Sequence, residues 1–109
     1  MIVFGQGVQE KAWVDAEMKK LSLDEKIAQL MMVRAYSNKG KDHIKYIENL
    51  IKKHKIGGLT FFQGGPVRQA DLTNQYQKIS QVPLMISQDA EWGLGMRLDS
   101  TFSLSLIHI

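Results

Sequence analysis

The amino-acid sequence predicts an α/β fold in which three short strands alternate with helices and form a parallel sheet. Three short apolar runs, at 30–33, 56–62 and 84–87, lack polar alternation, which is typical of strands covered on both faces. Each run follows a segment with helical periodicity, so right-handed crossovers are expected between the strands. Two architectures fit this order, an open doubly wound sheet and a (β/α)8 TIM barrel. A barrel needs about 250 residues, so in that architecture this chain is the first third of the barrel.

The first part of the chain predicts two helices and a strand. Residues 9–20 favour a helix. Ser22 and Glu25 have the spacing of a capping box, in which each side chain accepts a hydrogen bond from the other residue's backbone N–H. A short helix is therefore expected over about 23–30, and the apolar residues Leu30–Val33 are expected to form the first strand.

Two further helix–strand units follow. Residues 42–55 carry apolar side chains at helical spacing opposite a row of lysines, which indicates an amphipathic helix. Within 56–62, Gly57 and Gly58 are expected to stop the helix and the chain to run on into the second strand. The next helix is expected over 67–80 and the third strand over 84–87. The residues of that last helix expected to contact the core are Val67, Ala70, Tyr76 and Ile79.

A sheet of only three strands leaves unpaired edges and an uncovered face. Apolar side chains of the sheet are therefore expected to be partly exposed, and the isolated chain is expected to be marginally stable or prone to aggregate. The side chains concerned are Met31, Val33, Leu59, Phe61 and Ile86.

Composition excludes several classes of function. The chain has 109 residues with a net charge of +3, too mild to predict a nucleic-acid partner, and it has no cysteine for a disulfide or a thiolate metal site. No segment is long and apolar enough to insert into a membrane, and 1–5 is too short for a signal-peptide core. The compartment stays open: cytoplasmic, or exported if the N-terminus is incomplete. No cofactor is predicted, because no phosphate loop is present and Gly93 and Gly95 lack the third glycine of a dinucleotide fingerprint.

The loop after the third strand carries the candidate chemistry. Asp89 and Glu91 are two residues apart, and such a carboxylate pair suggests either a glycosidase acid and nucleophile or acids that bind a ligand and structure a loop. With Asp99 they offer oxygen ligands for a divalent cation, but at no recognised metal spacing, so no metal site is predicted. Arg97 offers a fork of donors for hydroxyls or carboxylates, with a simple surface arginine as the alternative.

Three segments together resemble the glycoside hydrolase family 3 N-terminal domain. The segment Leu21–Val33, with its L-S-L-D-E-K-I start, resembles the family's opening helix and first strand. The segment Ile56–Phe62 resembles its second strand. Asp89-Ala90-Glu91-Trp92-Gly93 with Arg97 resembles the D-x-E-G-G-x-x-x-R segment after its third strand, in the form typical of the β-N-acetylhexosaminidase branch, with Trp92 where the family often has glycine.

This resemblance implies a (β/α)8 barrel and a retaining hydrolase that removes β-linked N-acetylglucosamine from a carbohydrate substrate. It implies that Asp89 and Arg97 bind sugar hydroxyls in the innermost subsite, and that Glu91 and Gly93 support the loop. The family's nucleophile (an aspartate), its proton-transfer histidine and its K-H-F-P-G-H-G-like segment all come later in the barrel and are absent from these 109 residues. No catalytic residue is therefore assigned, and the 109-residue chain alone is expected to be inactive.

The domain expected on these grounds covers residues 9–102, and 103–109 are expected to be a non-native tail, since they show no feature of the family. Two other functions stay open. The chain could be a small non-catalytic α/β module that binds sugar through the loop from Asp89 to Arg97. Alternatively, it could be an interaction protein that uses the lysine-rich helix 42–55, although a solvated outer face is the simpler interpretation of those lysines.

Overall fold

The computed structural model describes residues 6–103 and confirms the α/β class, with three parallel strands alternating with helices. No helix in this part of the chain is long and apolar enough to cross a membrane. The expected tail falls mostly outside the described residues and remains a prediction. The elements in chain order are α1 (Gln6–Lys20), α2 (Leu23–Ala28), β1 (Met32–Ala35), α3 (Lys41–Asn49) continued by a π-helical turn (Leu50–His54), β2 (Gly58–Phe61), α4 (Pro66–Ile79), β3 (Met85–Gln88) and a 3-10 turn (Leu94–Met96).

The three strands form one parallel sheet in the sequential order β1-β2-β3. In its register Val33 lies beside Leu59, and Leu59 lies beside Ile86. Because side chains alternate along a strand, these three residues point to the same face of the sheet. The α3 and α4 helices cover that face, and the carboxyl ends of all three strands meet at one edge.

The core lies between this face and the two helices. Leu59 and Phe61 of β2 have no exposed surface, and neither do Ile47 of α3 and Tyr76 of α4. The expectation that Leu59 and Phe61 would be partly exposed is therefore wrong, since the helices cover them. Met31 is 51% exposed as expected, and Val33 and Ile86 are half-buried.

The opposite face of the sheet carries a row of polar side chains. Arg34, Thr60 and Ser87 lie side by side in the register. The hydroxyls of Thr60 and Ser87 are 2.9 Å apart and hydrogen-bonded. The same face also carries Met32 and Met85, which are 44% and 69% exposed, so it is polar only toward the carboxyl edge of the sheet.

The capping box at the start of α2 is confirmed. The Ser22 N–H donates to the Glu25 carboxylate over 2.8 Å, and the Glu25 N–H donates to the Ser22 hydroxyl over 3.2 Å. Lys55, just before β2, also contacts the Glu25 carboxylate at 2.7 Å. The contact with Lys55 is the largest cause that lowers the pKa of Glu25 below its ordinary value, and the hydrogen bond from the Ser22 N–H lowers it further. The box therefore ties α2 to the segment that leads into the central strand.

Two details of the sequence-based expectation are wrong. The first strand runs over Met32–Ala35 rather than 30–33, because the Leu30 and Met31 N–H groups still bond back into α2, to the carbonyls of Ile27 and Ala28. In α4, Tyr76 and Ile79 contact the core as expected. Val67 and Ala70, which were also expected in the core, are exposed, and Leu72, which was not expected there, is buried.

Candidate functional site

Three loops meet at the carboxyl edge of the sheet, where barrel and doubly wound folds hold their ligands. They begin at Tyr36 after β1, at Phe62 after β2 and at Asp89 after β3. The third loop is the longest, and the two predicted sugar-binding residues lie at its two ends. Parallel pairing brings all three loop starts to one side of the sheet without any further folding step.

The structure brings Asp89 and Arg97 together. The Arg97 Nη2 lies 2.7 Å from a carboxylate oxygen of Asp89, and the Arg97 Nε–H donates to the Asp89 backbone carbonyl over 2.6 Å. The side chain of Arg97 is only 15% exposed, whereas that of Asp89 is 46% exposed. The guanidinium therefore closes the loop from inside and leaves the carboxylate accessible to a ligand.

Phe62 supports the guanidinium from below. The Arg97 Cζ lies 4.8 Å from the centre of the Phe62 ring, within the range of a cation–π contact. The Phe62 ring in turn lies 5.8 Å from that of Tyr36. The sequence predicts Phe62 as part of the second strand, whereas β2 ends at Phe61. The available signal was its position: an aromatic residue directly after a parallel strand faces the loops.

Gly64 ties the loop after β2 to the end of the Arg97 loop. Its N–H donates to the Arg97 carbonyl over 3.2 Å, and its own carbonyl accepts from the Asp99 N–H over 2.8 Å. The φ of Gly64 is +149°, and a Cβ there would lie 1.8 Å from the Ser37 hydroxyl. Only glycine fits this bridge, which fixes the backbone on which Arg97 is mounted. Nothing in the sequence alone distinguishes Gly64 from its neighbour Gly65 in this role.

The two residues predicted to support the loop differ in their geometry. Gly93 has φ +90°, which favours glycine, and its N–H closes a turn onto the Ala90 carbonyl over 3.0 Å. The side chain of Glu91 is exposed and makes no hydrogen bond or ion pair with any residue of the described part. Loop support by these two residues stays a prediction.

A divalent-cation site of Asp89, Glu91 and Asp99 is not assembled. Asp99 faces Arg68 instead, at 3.6 Å between exposed groups. Between residues 6 and 103, no three histidine, aspartate or glutamate side chains lie close enough together to hold a metal ion. The pair that is assembled in this loop is thus the accessible carboxylate of Asp89 beside the anchored guanidinium of Arg97.

A large cavity lies elsewhere in the described part, away from the Asp89 loop. It measures about 500 Å³, and its lining comes from α2, β1 and the π-helical turn, including Ile27, Met32 and Leu50. Neither Asp89 nor Arg97 lines it. Size alone therefore does not locate the candidate site, whereas the convergence of polar groups at the strand ends does.

Sequential parallel strands with helices on one face, and a carboxylate–guanidinium pair in the loop after the third strand, define an α/β domain that has its polar site at the carboxyl edge. Comparison with family models identifies it further: the model described as the glycosyl hydrolase family 3 N terminal domain matches residues 22–105, and the chain belongs to this family. A comparison with curated proteins found no match.

Family membership confirms the resemblance to the family 3 N-terminal domain, but not its β-N-acetylhexosaminidase branch, and it decides between the two architectures. A sequential order of three strands fits both a barrel and one half of a dinucleotide-binding sheet, so the strand order alone did not separate them. The three strands are part of a TIM-barrel-like domain, and the chain is part of a glycoside hydrolase.

Proposed function

We propose that this chain carries the innermost sugar subsite of a retaining glycoside hydrolase that removes β-linked N-acetylglucosamine, and that Asp89 and Arg97 bind the sugar hydroxyls. The observation that carries the proposal is the Asp89 carboxylate, 46% exposed and fixed by Arg97 at 2.7 Å, at the carboxyl edge of a family 3 sheet.

The physical chemistry of this pair suits a sugar. A carboxylate accepts hydrogen bonds from two neighbouring hydroxyls, and charge assistance makes such bonds about twice as strong as neutral ones. Arg97 is already held by two bonds to Asp89 and by the Phe62 ring. The ligand therefore does not have to order these side chains, which removes part of the entropic cost of binding.

The choice of N-acetylglucosamine rests on the segment from Asp89 to Arg97, which has the form of the β-N-acetylhexosaminidase branch. The retaining mechanism rests on the family resemblance, which places the nucleophile and the proton-transfer histidine in later parts of the barrel. Asp89 and Glu91 are therefore binding and loop residues in this proposal. The 109-residue polypeptide is expected to bind sugar without hydrolysing it.

The test compares sugar binding by the wild-type 109-residue chain and by Asp89→Asn. N-acetylglucosamine and glucose are titrated separately, and binding is followed through the NMR signal of the Arg97 Nε–H. Asp71→Asn is the matched control, because it removes the same charge from an exposed position on α4. We expect N-acetylglucosamine to bind the wild type and the control equally, and Asp89→Asn to bind about tenfold more weakly, as the loss of one charged hydrogen bond predicts.

Each other outcome contradicts a stated part of the proposal. Equal binding of glucose and N-acetylglucosamine would contradict the choice of sugar but leave the subsite in place. Equal loss in both aspartate variants, or binding that Asp89→Asn does not change, would contradict the subsite itself. Release of nitrophenol from an aryl N-acetylglucosaminide by the purified wild-type chain would contradict the expected lack of turnover.

A further inference from the structure

A second cavity opens beside the carboxyl end of β1 and is lined by chemistry different from that of the Asp89 loop. It measures about 280 Å³ and lies between β1, the loop that follows it and the start of α3. It is smaller than the roughly 300–1,000 Å³ of sites that bind drug-sized ligands, so its occupant is a small group. Its lining residues are Val33, Arg34, Tyr36, Lys39, His43 and Tyr46.

Three aromatic rings form one wall of this cavity. The rings of Tyr36 and His43 meet edge to face at 5.5 Å, and those of His43 and Tyr46 lie 6.4 Å apart. The Tyr36 backbone N–H donates to the His43 Nε2 over 3.1 Å. Because Nε2 accepts this bond, the His43 proton sits on Nδ1, which is a donor. The wall is therefore ordered before any ligand arrives.

Two cations complete the cavity, and no carboxylate lines it. The Lys39 Nζ lies 3.9 Å from the centre of the Tyr36 ring, held by the ring rather than by an acid. Neither Arg34 nor Lys39 makes an ion pair with any residue of the described part. Burial lowers the pKa of His43 most, and the nearby charge of Lys39 lowers it further, so the ring stays neutral near pH 7. The cavity thus offers positive charge and donors without an internal anion to neutralise them.

We propose that this cavity is a binding site for a single anionic group, a carboxylate or a phosphate, carried on a ligand fragment no larger than about one sugar ring. Arg34 and Lys39 supply the charge, because the Arg34 guanidinium and the Lys39 ammonium donate hydrogen bonds that suit carboxylate and phosphate oxygens. The ring of Tyr46, which is 55% exposed, supplies a flat surface against which the body of the ligand packs. This assignment does not depend on the sugar bound at Asp89.

The experiment uses the 109-residue chain and three probes at constant ionic strength: inorganic phosphate, glucuronate and, as the neutral control, glucose. Binding is followed by the ring-proton NMR signals of His43 and, independently, by the thermal midpoint. Arg34→Gln/Lys39→Gln removes two positive charges from the cavity. The matched variant, Lys45→Gln/Lys52→Gln, removes two charges from exposed positions of the adjoining helix outside the cavity.

We expect phosphate or glucuronate, but not glucose, to shift the His43 signals in a saturable way and to raise the pKa of His43, since a bound anion favours the charged ring. The cavity variant is expected to bind at least about tenfold more weakly, as the loss of charged hydrogen bonds predicts, and the matched variant to bind like the wild type. A response to phosphate alone identifies a phosphate ligand, and a response to glucuronate alone identifies an acidic sugar.

Two results would overturn the proposal. One is the absence of any saturable His43 shift in the wild-type chain with either anion. The other is an equal response in the cavity variant and the wild type, because stabilisation by phosphate that survives the loss of both cations is a general salt effect on the folded state. Both substituted side chains are exposed, so the variants leave the core between sheet and helices unchanged.

Discussion

Substitution of Gly64 by alanine tests whether the bridge between the loops after β2 and β3 holds the site together. The φ of Gly64 is +149°, where an L side chain is strained. A Cβ would lie 1.8 Å from the Ser37 Oγ, 2.9 Å from the Ser37 Cβ and 3.0 Å from the Asn38 nitrogen. The hydroxyl can rotate away, but the Cβ and the backbone nitrogen cannot, so the backbone at Gly64 has to move.

The magnitude follows from two contributions. The strained backbone costs about 1–3 kcal/mol for a residue other than glycine. The movement also weakens the two hydrogen bonds that Gly64 makes with Arg97 and Asp99, worth about 1 kcal/mol each. We therefore expect Gly64→Ala to lower the free energy of unfolding by about 3–5 kcal/mol, a large part of the roughly 5–15 kcal/mol of a whole domain.

The assay is urea unfolding at one fixed protein concentration, followed by circular dichroism, in which this loss lowers the midpoint by about 2 M. Gly40→Ala is the matched control. Its φ is −74°, and no atom lies within 4 Å of the added Cβ, so its effect is expected to stay within about 0.5 kcal/mol. The Arg97 Nε–H is also expected to exchange faster with solvent in Gly64→Ala, because the loop that carries it is released.

The source of the cost can be separated with Ser37→Gly, which removes both side-chain atoms nearest the added Cβ. In that background Gly64→Ala should cost about 1–2 kcal/mol less than in the wild type, while the cost of the strained φ remains. Equal midpoints for Gly64→Ala and Gly40→Ala, or an Arg97 exchange rate that does not change, would refute the bridge as the element that mounts Arg97.

Three further predictions concern stability. Burial, with the charge of Glu48, raises the pKa of Tyr76 to about 12. The unfolded chain loses this proton near pH 10, so stability should fall by up to about 3 kcal/mol as the pH rises from 10 to 12. Tyr76→Phe, which deletes a buried hydroxyl without a partner in the described part, should abolish that slope in alkaline urea titrations. The contact with Lys55 lowers the pKa of Glu25. The ionised Glu25 therefore stabilises the folded chain above about pH 4.5, and this stabilisation should be lost as the pH falls below that value. In acid titrations, the unfolding free energy of Glu25→Gln should lack this dependence on pH. The isolated chain should unfold in a broad, concentration-dependent transition, because within residues 6–103 β1 and β3 each have one unpaired edge. A sharp, reversible melt of a monomer in calorimetry would contradict this.

The order of the elements could be predicted because each has a local cause, but the start of β1 could not. Leu30 and Met31 are as apolar as the strand that follows, and an apolar run does not show where helix hydrogen bonding ends. In the structure their N–H groups still bond back into α2. The strand begins only at Met32, where pairing with Gly58 of β2 takes over. That partner is distant in the chain, so the boundary depends on tertiary structure.

The core face of α4, in contrast, can be predicted from the spacing of its apolar residues. Leu72, Tyr76 and Ile79 are spaced by four and three residues and form one stripe of the helix. Val67 and Ala70 fall outside this stripe and are exposed. The expectation included them because they are apolar, whereas the helical period, applied strictly, assigns them to the solvent side.

At the candidate site, the position of the residues could be predicted from the sequence, but the orientation of Arg97 could not. The position of Asp89 directly after a strand was enough to predict a polar group at the carboxyl edge, but the role of Arg97 was open between ligand contact and surface. What decides its orientation is the path of the chain behind it. Gly64 holds the Arg97 carbonyl from one side and Phe62 supports the guanidinium from the other, and both come from the loop after β2. Asp89 variants therefore test the proposed sugar contact, whereas a Gly64 variant tests whether the neighbouring loop builds the site at all.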